Sequence, residues 1–258
     1  MAVTALRNAK SVREQVSAEE WQKRVDLAAC YRLVHLYGMD EMIANHISTQ
    51  VPGEPGTFLL NPYGYLYDQM HASCFIKVDF DGNVLFDPTG LGVNKAGFVI
   101  HSAVHKARHD VDCVIHTHTL AGMAVSAMKC GLMPIAQSAM RFIDIAYHTY
   151  EGPAIHMDEQ ARLVESLGQR EVMILRNHGL LATGGSIPSA FNNIWRLERA
   201  CQLQVMTMSC NTEINLPPQD VVAETNRLFK PGVRRTLGEL EWPALIRKLD
   251  SIDASYRD

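Results

Sequence analysis

Several signatures that would assign a function at once are missing from this chain of 258 residues. It contains neither a GxGxxG pattern nor a Walker-type loop, which excludes the usual dinucleotide and nucleotide sites. No apolar run is long enough to span a bilayer, and the N-terminal residues lack the apolar core of a signal peptide. The six cysteines include no CxxC pair, so we expect reduced core thiols and a cytoplasmic protein.

An excess of charge of one sign is also missing. The net charge is −4, and 47% of the residues are hydrophobic. These values are ordinary for a globular domain and offer no basic surface to nucleic acid or to an anionic membrane. We therefore expect a small-molecule substrate and neither a nucleic-acid nor a membrane partner.

The spacing of apolar residues predicts an α/β protein. Ser17 and Glu20 form a capping box for a first helix that ends at Gly38. Later helices are predicted at 95–109, 120–130, 158–168 and 186–210. Strands are predicted at 58–60, 66–67, 75–78, 84–86, 112–118, 172–175 and 180–183.

This order of elements favours a single domain with three layers, α/β/α, around a largely antiparallel or mixed central sheet. No repeat, low-complexity segment or clear linker divides the chain. We assign residues 1–16 to a flexible N-terminal arm and 17–210 to the domain. Residues 211–258 are predicted to form a helical extension that packs on the same domain or on a neighbour.

The strongest candidate for chemistry is His116-Thr117-His118, at the end of a short apolar strand. Residues two apart on a strand point to the same face, so both imidazoles can converge on one point. A third imidazole from a neighbouring strand end would complete a site of the kind that holds a catalytic divalent metal. His178 is placed to do so, since it follows a buried strand and precedes Gly179. The pair alone is equally compatible with two ordinary half-buried side chains.

A second group of histidines competes for a metal. His101, His105 and His109 are four residues apart on a predicted helix and therefore share a face. The segment lacks the glutamate of the hydrolytic HExxH motif. A solvated or subunit-facing helix surface is the simpler interpretation. The isolated histidines are interpreted as surface or hydrogen-bonded side chains: His35, His46, His71, His148 and His156.

Several segments together resemble the class II aldolase/adducin family over roughly residues 20–210. The matching segments are Val114 to Thr119, Ile174 to Gly179, Asn45, Asn61-Pro62-Tyr63-Gly64, Lys77 to Val84, Ala96-Gly97-Phe98, His101-Ser102-Ala103 and Ala124 to Leu132. The last three are most similar to adducin head domains and their bacterial relatives. The resemblance implies a homotetramer with active sites between subunits, and zinc or a similar divalent ion on His116, His118 and His178.

The resemblance also carries departures. The sugar-phosphate aldolases of the family have an acid/base glutamate at the position of Gly97, and two phosphate-binding serines at Lys95 and Ala96. Asn45, Gly64 and Lys95 remain candidate substrate-binding residues, and a cation at Lys95 would suit a carboxylate. Arg141 and Arg176 are further anion-binding candidates. Tyr150 or His148 falls where the family places a tyrosine that donates a proton across a subunit interface.

Without a proton-transfer carboxylate, decarboxylation is easier to support than aldol cleavage, because it removes no hydroxyl proton. The leading hypothesis is a metal-dependent carbon–carbon lyase, a decarboxylase or an aldolase, acting on a small oxygenated acid. A non-catalytic adducin-like interaction module is one alternative, although the long basic-ended tail of adducin is missing and actin or spectrin binding is not expected. The other is a sugar-phosphate aldolase or epimerase with a relocated base, such as His101 or His105.

Overall fold

The computed structural model describes residues 10–152, 157–230, 232–233 and 235–258. Part of the predicted N-terminal arm, residues 1–9, lies outside them, as does His156. The helices are α1 (Val12–Gln15), α2 (Ala18–Leu36), α3 (Lys95–Ala107), α4 (Leu120–Ala127), α5 (Gln137–Met140), α6 (Glu159–Leu167), α7 (Ile187–Ser209), α8 (Gln219–Phe229) and α9 (Trp242–Asp250). The strands are β1 (His46–Gln50), β2 (Thr57–Leu60), β3 (Ile76–Asp79), β4 (Val84–Phe86), β5 (Cys113–Thr117), β6 (Ala146–His148), β7 (Val172–Leu175) and β8 (Gly179–Gly184).

The strands form one mixed sheet in the order β4-β3-β2-β1-β5-β8-β7-β6. Every neighbouring pair is antiparallel except β6 and β7, which are parallel. In the centre of the sheet, His46 of β1 is directly opposite His116 of β5. The β7–β8 hairpin places its turn at the same end of the sheet as the C-terminal end of β5.

Helices cover both faces of the sheet, which confirms the predicted α/β/α arrangement. On one face, α2 and α7 pack on alternate strand residues such as Ile47, Ile115 and Ala182. On the other face, α3 and α6 cover Val114, Leu181 and their neighbours. The period-2 alternation of the buried strands therefore divides the apolar residues between two cores.

The residues at the two ends of α2 have the roles that the sequence predicts. The Ser17 hydroxyl accepts a hydrogen bond from the backbone N–H of Glu20, as a capping residue should, and Gly38 adopts a φ of 65° just beyond the end of α2. The prediction of a strand at 66–67 is wrong. Tyr67–Gln69 is a short 3-10 helix instead, because the Gln69 side chain accepts the backbone hydrogen bond of Leu66 that a strand would have used.

Two strands were not predicted. β1 has the sequence HISTQ, in which Ser48 and Thr49 are buried although both are polar, so it does not look like a core strand. β6 has three residues and pairs in parallel with β7 at the edge of the sheet. Both omissions matter, because β1 borders the metal-site candidate and β6 carries His148.

Helix α9 and the segment after it lie against the main core. Trp242, Leu249 and Tyr256 belong to the same apolar cluster as the buried residues of α2 and α7. None of the helices in the described parts of the chain combines the length and the apolar character needed to cross a bilayer. Of the six free cysteines, Cys130 and Cys210 are exposed and the others are buried.

Candidate metal centre

His116, His118 and His178 come together at one end of the sheet. Each offers one ring nitrogen, and these three atoms lie within 4.8 Å of one another. His116 is the last but one residue of β5, His118 follows the strand end, and His178 lies in the β7–β8 turn. We call this set the three-histidine group.

Gly179 allows the hairpin to approach β5 this closely. A Cβ atom at this position would lie 2.4 Å from the carbonyl oxygen of Thr117 and 3.0 Å from Cδ2 of His118. Asn177, two residues earlier, adopts a left-handed φ of 54°, which asparagine tolerates better than most residues. The Asn-His-Gly motif is thus explained by the turn it must form beside β5.

The second nitrogen of two of these rings is already occupied. Nδ1 of His116 is 2.9 Å from the carbonyl oxygen of Leu180, and Nδ1 of His118 is 2.7 Å from the Glu41 carboxylate. Both acceptors require a proton on Nδ1. In the neutral rings each Nε2 therefore carries a lone pair, and the two Nε2 atoms face each other at 2.8 Å.

Two neutral imidazoles arranged in this way direct their Nε2 lone pairs at one point, where a cation can be bound. Burial, together with the neighbouring histidines, holds the pKa of His116 well below its usual range, and burial beside His118 lowers the pKa of His178 to about 4. The neutral imidazole is the form that ligates metals. The donor set thus fits a divalent ion such as zinc, which prefers nitrogen donors in this number.

The prediction that His101 and His105 lie on a solvated or subunit-facing helix surface is wrong. Both side chains are fully buried, whereas His109 lies beyond the end of α3 and is exposed. The Ser48 hydroxyl lies 2.5 Å from Nδ1 of His101 and 2.7 Å from Nε2 of His105. Nε2 of His101 lies in turn 2.7 Å from Nδ1 of His46.

This buried polar chain ends against the three-histidine group. The ring of His46 packs on that of His116 with a centroid separation of 5.0 Å. It also occupies the space in front of Gly97, where an added Cβ atom would lie 2.7 Å from Cδ2 of His46. The space that a side chain at position 97 would need is therefore filled by an imidazole.

The predicted proton donors lie beside the group. The Tyr150 ring is 6.0 Å from that of His178, and 48% of the residue is exposed. His148 is buried, with Nδ1 3.0 Å from the Ser166 hydroxyl and Nε2 3.4 Å from the Glu159 carboxylate. Of these two residues, Tyr150 is the one that is accessible to solvent.

The predicted substrate-binding residues lie at the same end of the sheet, two of them on loops and one at the start of a helix. Asn45 immediately precedes β1, and both polar atoms of its buried amide lack a hydrogen-bond partner among the described residues. Gly64 has a φ of 117° in an exposed turn, whose neighbour Tyr63 donates a backbone hydrogen bond to the carbonyl of Gly92. Lys95 is exposed at the first residue of α3.

The two arginines proposed as anion-binding candidates have structural partners. Arg176 donates to the carbonyl of Met128 at 2.6 Å, and its guanidinium lies 4.1 Å from the centre of the Tyr147 ring. Arg141 donates to the side-chain oxygens of Asn192 and Asn193. Burial lowers the pKa of Arg141 to about 10.

Sequence reasoning did not identify Glu41, His46 or Ser48 as part of this region. His46 was interpreted as an isolated histidine because β1 was not predicted. Recognition of that strand would have placed His46 opposite His116. Glu41 is 77 residues from His118 in the chain and has no motif of its own, so no sequence signal pointed to it.

The chain is similar to proteins of known family and structure. The model of the family "Class II Aldolase and Adducin N-terminal domain" matches residues 25–205. The crystal structure of an aldolase II superfamily protein from Pseudomonas syringae is 48% identical, with a TM-score of 0.90, and the match covers 96% of this chain and 100% of that one.

Two further relatives differ in kind. An L-fuculose 1-phosphate aldolase from Glaciozyma antarctica is 26% identical, with a TM-score of 0.82 over 97% of this chain and 96% of that one. Alpha-adducin of Mus musculus is 42% identical over 242 residues, which are 89% of this chain but 33% of that protein. Similarity thus extends both to an enzyme and to one third of a much longer adducin.

Proposed function

Because the chain belongs to the class II aldolase and adducin family, we propose that it is a divalent-metal-dependent lyase that breaks a carbon–carbon bond of a small oxygenated acid. The observation that carries this proposal is the pair of facing Nε2 atoms of His116 and His118, with His178 beside them. With a proton on each Nδ1, the Nε2 atoms of His116 and His118 are available to coordinate a metal ion. Zinc is the ion that three neutral imidazoles favour.

When bound, a divalent ion would act as a Lewis acid that stabilises negative charge on the substrate oxygen during bond cleavage. Tyr150 is proposed to deliver the proton to the carbon that is left, because its hydroxyl belongs to an exposed ring beside His178. His148 would stabilise the strand end beside Tyr150 through its contacts with Ser166 and Glu159.

Substrate binding is assigned to Asn45, Gly64 and Lys95. An unpaired buried amide costs roughly 1–3 kcal/mol, so the orphaned polar atoms of Asn45 favour a ligand or an ordered water at this position. The exposed ammonium of Lys95 suits a carboxylate. The small residue at Gly64 keeps its turn open to solvent, with nothing within 4 Å of an added Cβ atom.

Decarboxylation is the favoured reaction. Aldol cleavage needs a base for a hydroxyl proton, and His46 fills the place where a side chain at position 97 would supply one. A relocated base at His101 or His105 is disfavoured, because both rings are fully buried and cannot touch a substrate that enters from solvent.

A homotetramer with interfacial sites is proposed as the assembly. Large apolar side chains next to the group are exposed in the single chain, with Met42 at 76% and Leu120 at 85%. Met42 follows Glu41, which contacts His118, and Leu120 lies two residues after His118. A neighbouring subunit that covers these apolar side chains would therefore also cover the edge of the site. Light scattering on the purified protein should return the mass of four chains, and a monomer would contradict the assignment.

Metal binding and turnover together test the function. The purified protein is expected to bind one zinc or manganese ion per chain and to release carbon dioxide from a hydroxylated acid. His116→Ala should weaken metal binding by more than about 100-fold, since the loss of a ligand exceeds the 10–100-fold effect of an outer-shell contact. The exposed His109→Ala serves as the matched control and should behave as wild type.

The 42% identity with alpha-adducin supports a second candidate, a non-catalytic interaction module. Screening of hydroxy acids and sugar phosphates separates the two functions. Turnover that His116→Ala abolishes excludes a pure scaffold, whereas metal binding without any turnover favours it. Cleavage of a phosphorylated ketose without carbon dioxide release would instead identify an aldolase.

A further inference from the structure

We propose that Glu41 is the positioning residue of the metal centre. Its carboxylate accepts a hydrogen bond from Nδ1–H of His118 and so orients the ring with Nε2 toward the other two imidazoles. The inference rests on the proposed metal-dependent function. It assigns a role to a residue of the α2–β1 loop that lies outside the three-histidine group.

His118 needs such support more than His116 does. The ring of His116 is almost completely buried, and the carbonyl of Leu180 accepts its Nδ1–H inside the sheet. His118 lies past the end of β5, and 18% of its side chain is exposed. Without a partner, a ring at a strand end can rotate or change its tautomer, and Nε2 is then lost as a ligand.

The hydrogen bond between Glu41 and His118 is short. Its Oε2 lies 2.7 Å from Nδ1 of His118, within the short range of charge-assisted hydrogen bonds. Among the described residues, Glu41 makes no side-chain hydrogen bond or ion pair other than this one. A carboxylate that accepts from Nδ1 of a ligating histidine fixes the orientation of the ring and raises the basicity of Nε2.

The backbone of the loop is shaped to bring Glu41 to this place. Gly38 ends α2 with a φ of 65°, and the carbonyl of Glu41 accepts a turn hydrogen bond from the N–H of Ala44. Within that turn, Met42 is held at a φ of 48°, in the left-handed region that is unfavourable for a residue other than glycine. Strain of this kind is commonly retained beside functional sites.

A different carboxylate supports the backbone of the same strand end. Thr119 donates its hydroxyl hydrogen to the buried carboxylate of Glu198 on α7, and its Oγ1 accepts from the N–H of Gly122 at the start of α4. Glu198 thus secures the residue after His118, whereas Glu41 acts on the ring itself. Loss of Glu198 should therefore lower stability without acting on the tautomer.

The tautomer can be measured directly in the metal-free protein. Long-range ¹H–¹⁵N correlation spectra at pH 8 distinguish a protonated Nδ1 from a protonated Nε2 in each ring. We expect His118 of the wild type as the Nδ1–H form. Glu41→Ala should lose this preference, and Glu41→Gln should keep it, because the amide oxygen can still accept from Nδ1.

Zinc titration of the same proteins gives the second readout. Glu41→Ala is expected to weaken zinc binding by about 10–100-fold, with a smaller loss for Glu41→Gln. Glu224→Gln makes the same change of charge on the exposed surface of α8, where Glu224 pairs with Arg227, and should leave zinc affinity unchanged.

The proposal is overturned if Glu41→Ala retains either the tautomer or the zinc affinity of the wild type, or if His118 is the Nε2–H form in the wild type. If the wild type itself binds no zinc or manganese, the proposed function fails instead. The tautomer spectra still decide whether Glu41 acts on His118 in that case, so the two failures are distinguishable.

Discussion

At the scale of the residue, the close contacts around the three-histidine group depend on two glycines, which have no side chain. Gly97 and Gly179 lie where a Cβ atom would strike His46 and the Thr117 carbonyl, at 2.7 Å and 2.4 Å. The first contact is with a ring that is itself held by His101. Gly97 is therefore both the position that lacks a carboxylate and the position that makes room for an imidazole.

Gly97→Ala is expected to destabilise the protein by about 1–3 kcal/mol, the usual range for overpacking of a filled core. Its new Cβ would meet the ring of His46, which cannot move without breaking its hydrogen bond to His101. Urea unfolding measures the change. Gly185→Ala is the matched control, because the nearest atom to its new Cβ would lie at 3.5 Å. Equal effects of the two substitutions would refute the steric account.

At the scale of the element, the contact between α3 and β1 places three polar side chains in the interior. Ser48 of β1 joins His101 and His105 of α3 in one chain of hydrogen bonds. Burial lowers the pKa of His105 to about 4 and that of His101 well below its usual range. These side chains are therefore neutral in the folded protein at physiological pH.

The free energy of unfolding should therefore fall as the pH falls from about 6.5 toward 4. In that window the unfolded chain, with a histidine pKa of about 6.5, binds protons that the folded His105 does not. For this residue alone the loss between pH 7 and pH 5 amounts to about 2 kcal/mol. Urea unfolding of the metal-free protein across this range measures it.

His105→Gln is the comparison for this pH dependence. Its amide nitrogen can replace Nε2 as the partner of Ser48, but it does not titrate. The variant should lose stability less steeply on acidification. An identical pH dependence would show that His105 does not contribute.

At the scale of the whole molecule, the C-terminal extension shares the main core. Trp242 and Tyr256 belong to the cluster that includes α2 and α7, and the indole N–H of Trp242 lies 3.4 Å from the Asp26 carboxylate. Apolar burial of this kind couples segments into one cooperative unit. The extension should therefore not unfold by itself.

We expect a single unfolding transition in urea, with the same midpoint by far-ultraviolet circular dichroism and by tryptophan fluorescence. Comparison with Trp242→Phe isolates the fluorescence of the extension from that of Trp21 and Trp195. An earlier midpoint for the Trp242 signal would mean that residues 211–258 unfold separately.

How much could be predicted from the sequence depends on the range of the interactions. Capping by Ser17, the end of α2 at Gly38 and the alternation of β5 and β7 are local, so they were readable without a structure. β1 was not, because its buried Ser48 and Thr49 look like surface residues until α3 and β5 surround them. The prediction of a strand at 66–67 was wrong because the backbone N–H of Leu66 donates to the side chain of Gln69 and not to a neighbouring strand.

The sequence by itself determined the layer order, the family and the two histidine motifs, because each depends on residues that are neighbours in the chain. The tertiary structure alone decided what surrounds them. It brought Glu41 to Nδ1 of His118 and placed the ring of His46 in front of Gly97. Contacts between residues tens of positions apart arise from strand register and loop conformation, and no local pattern encodes them.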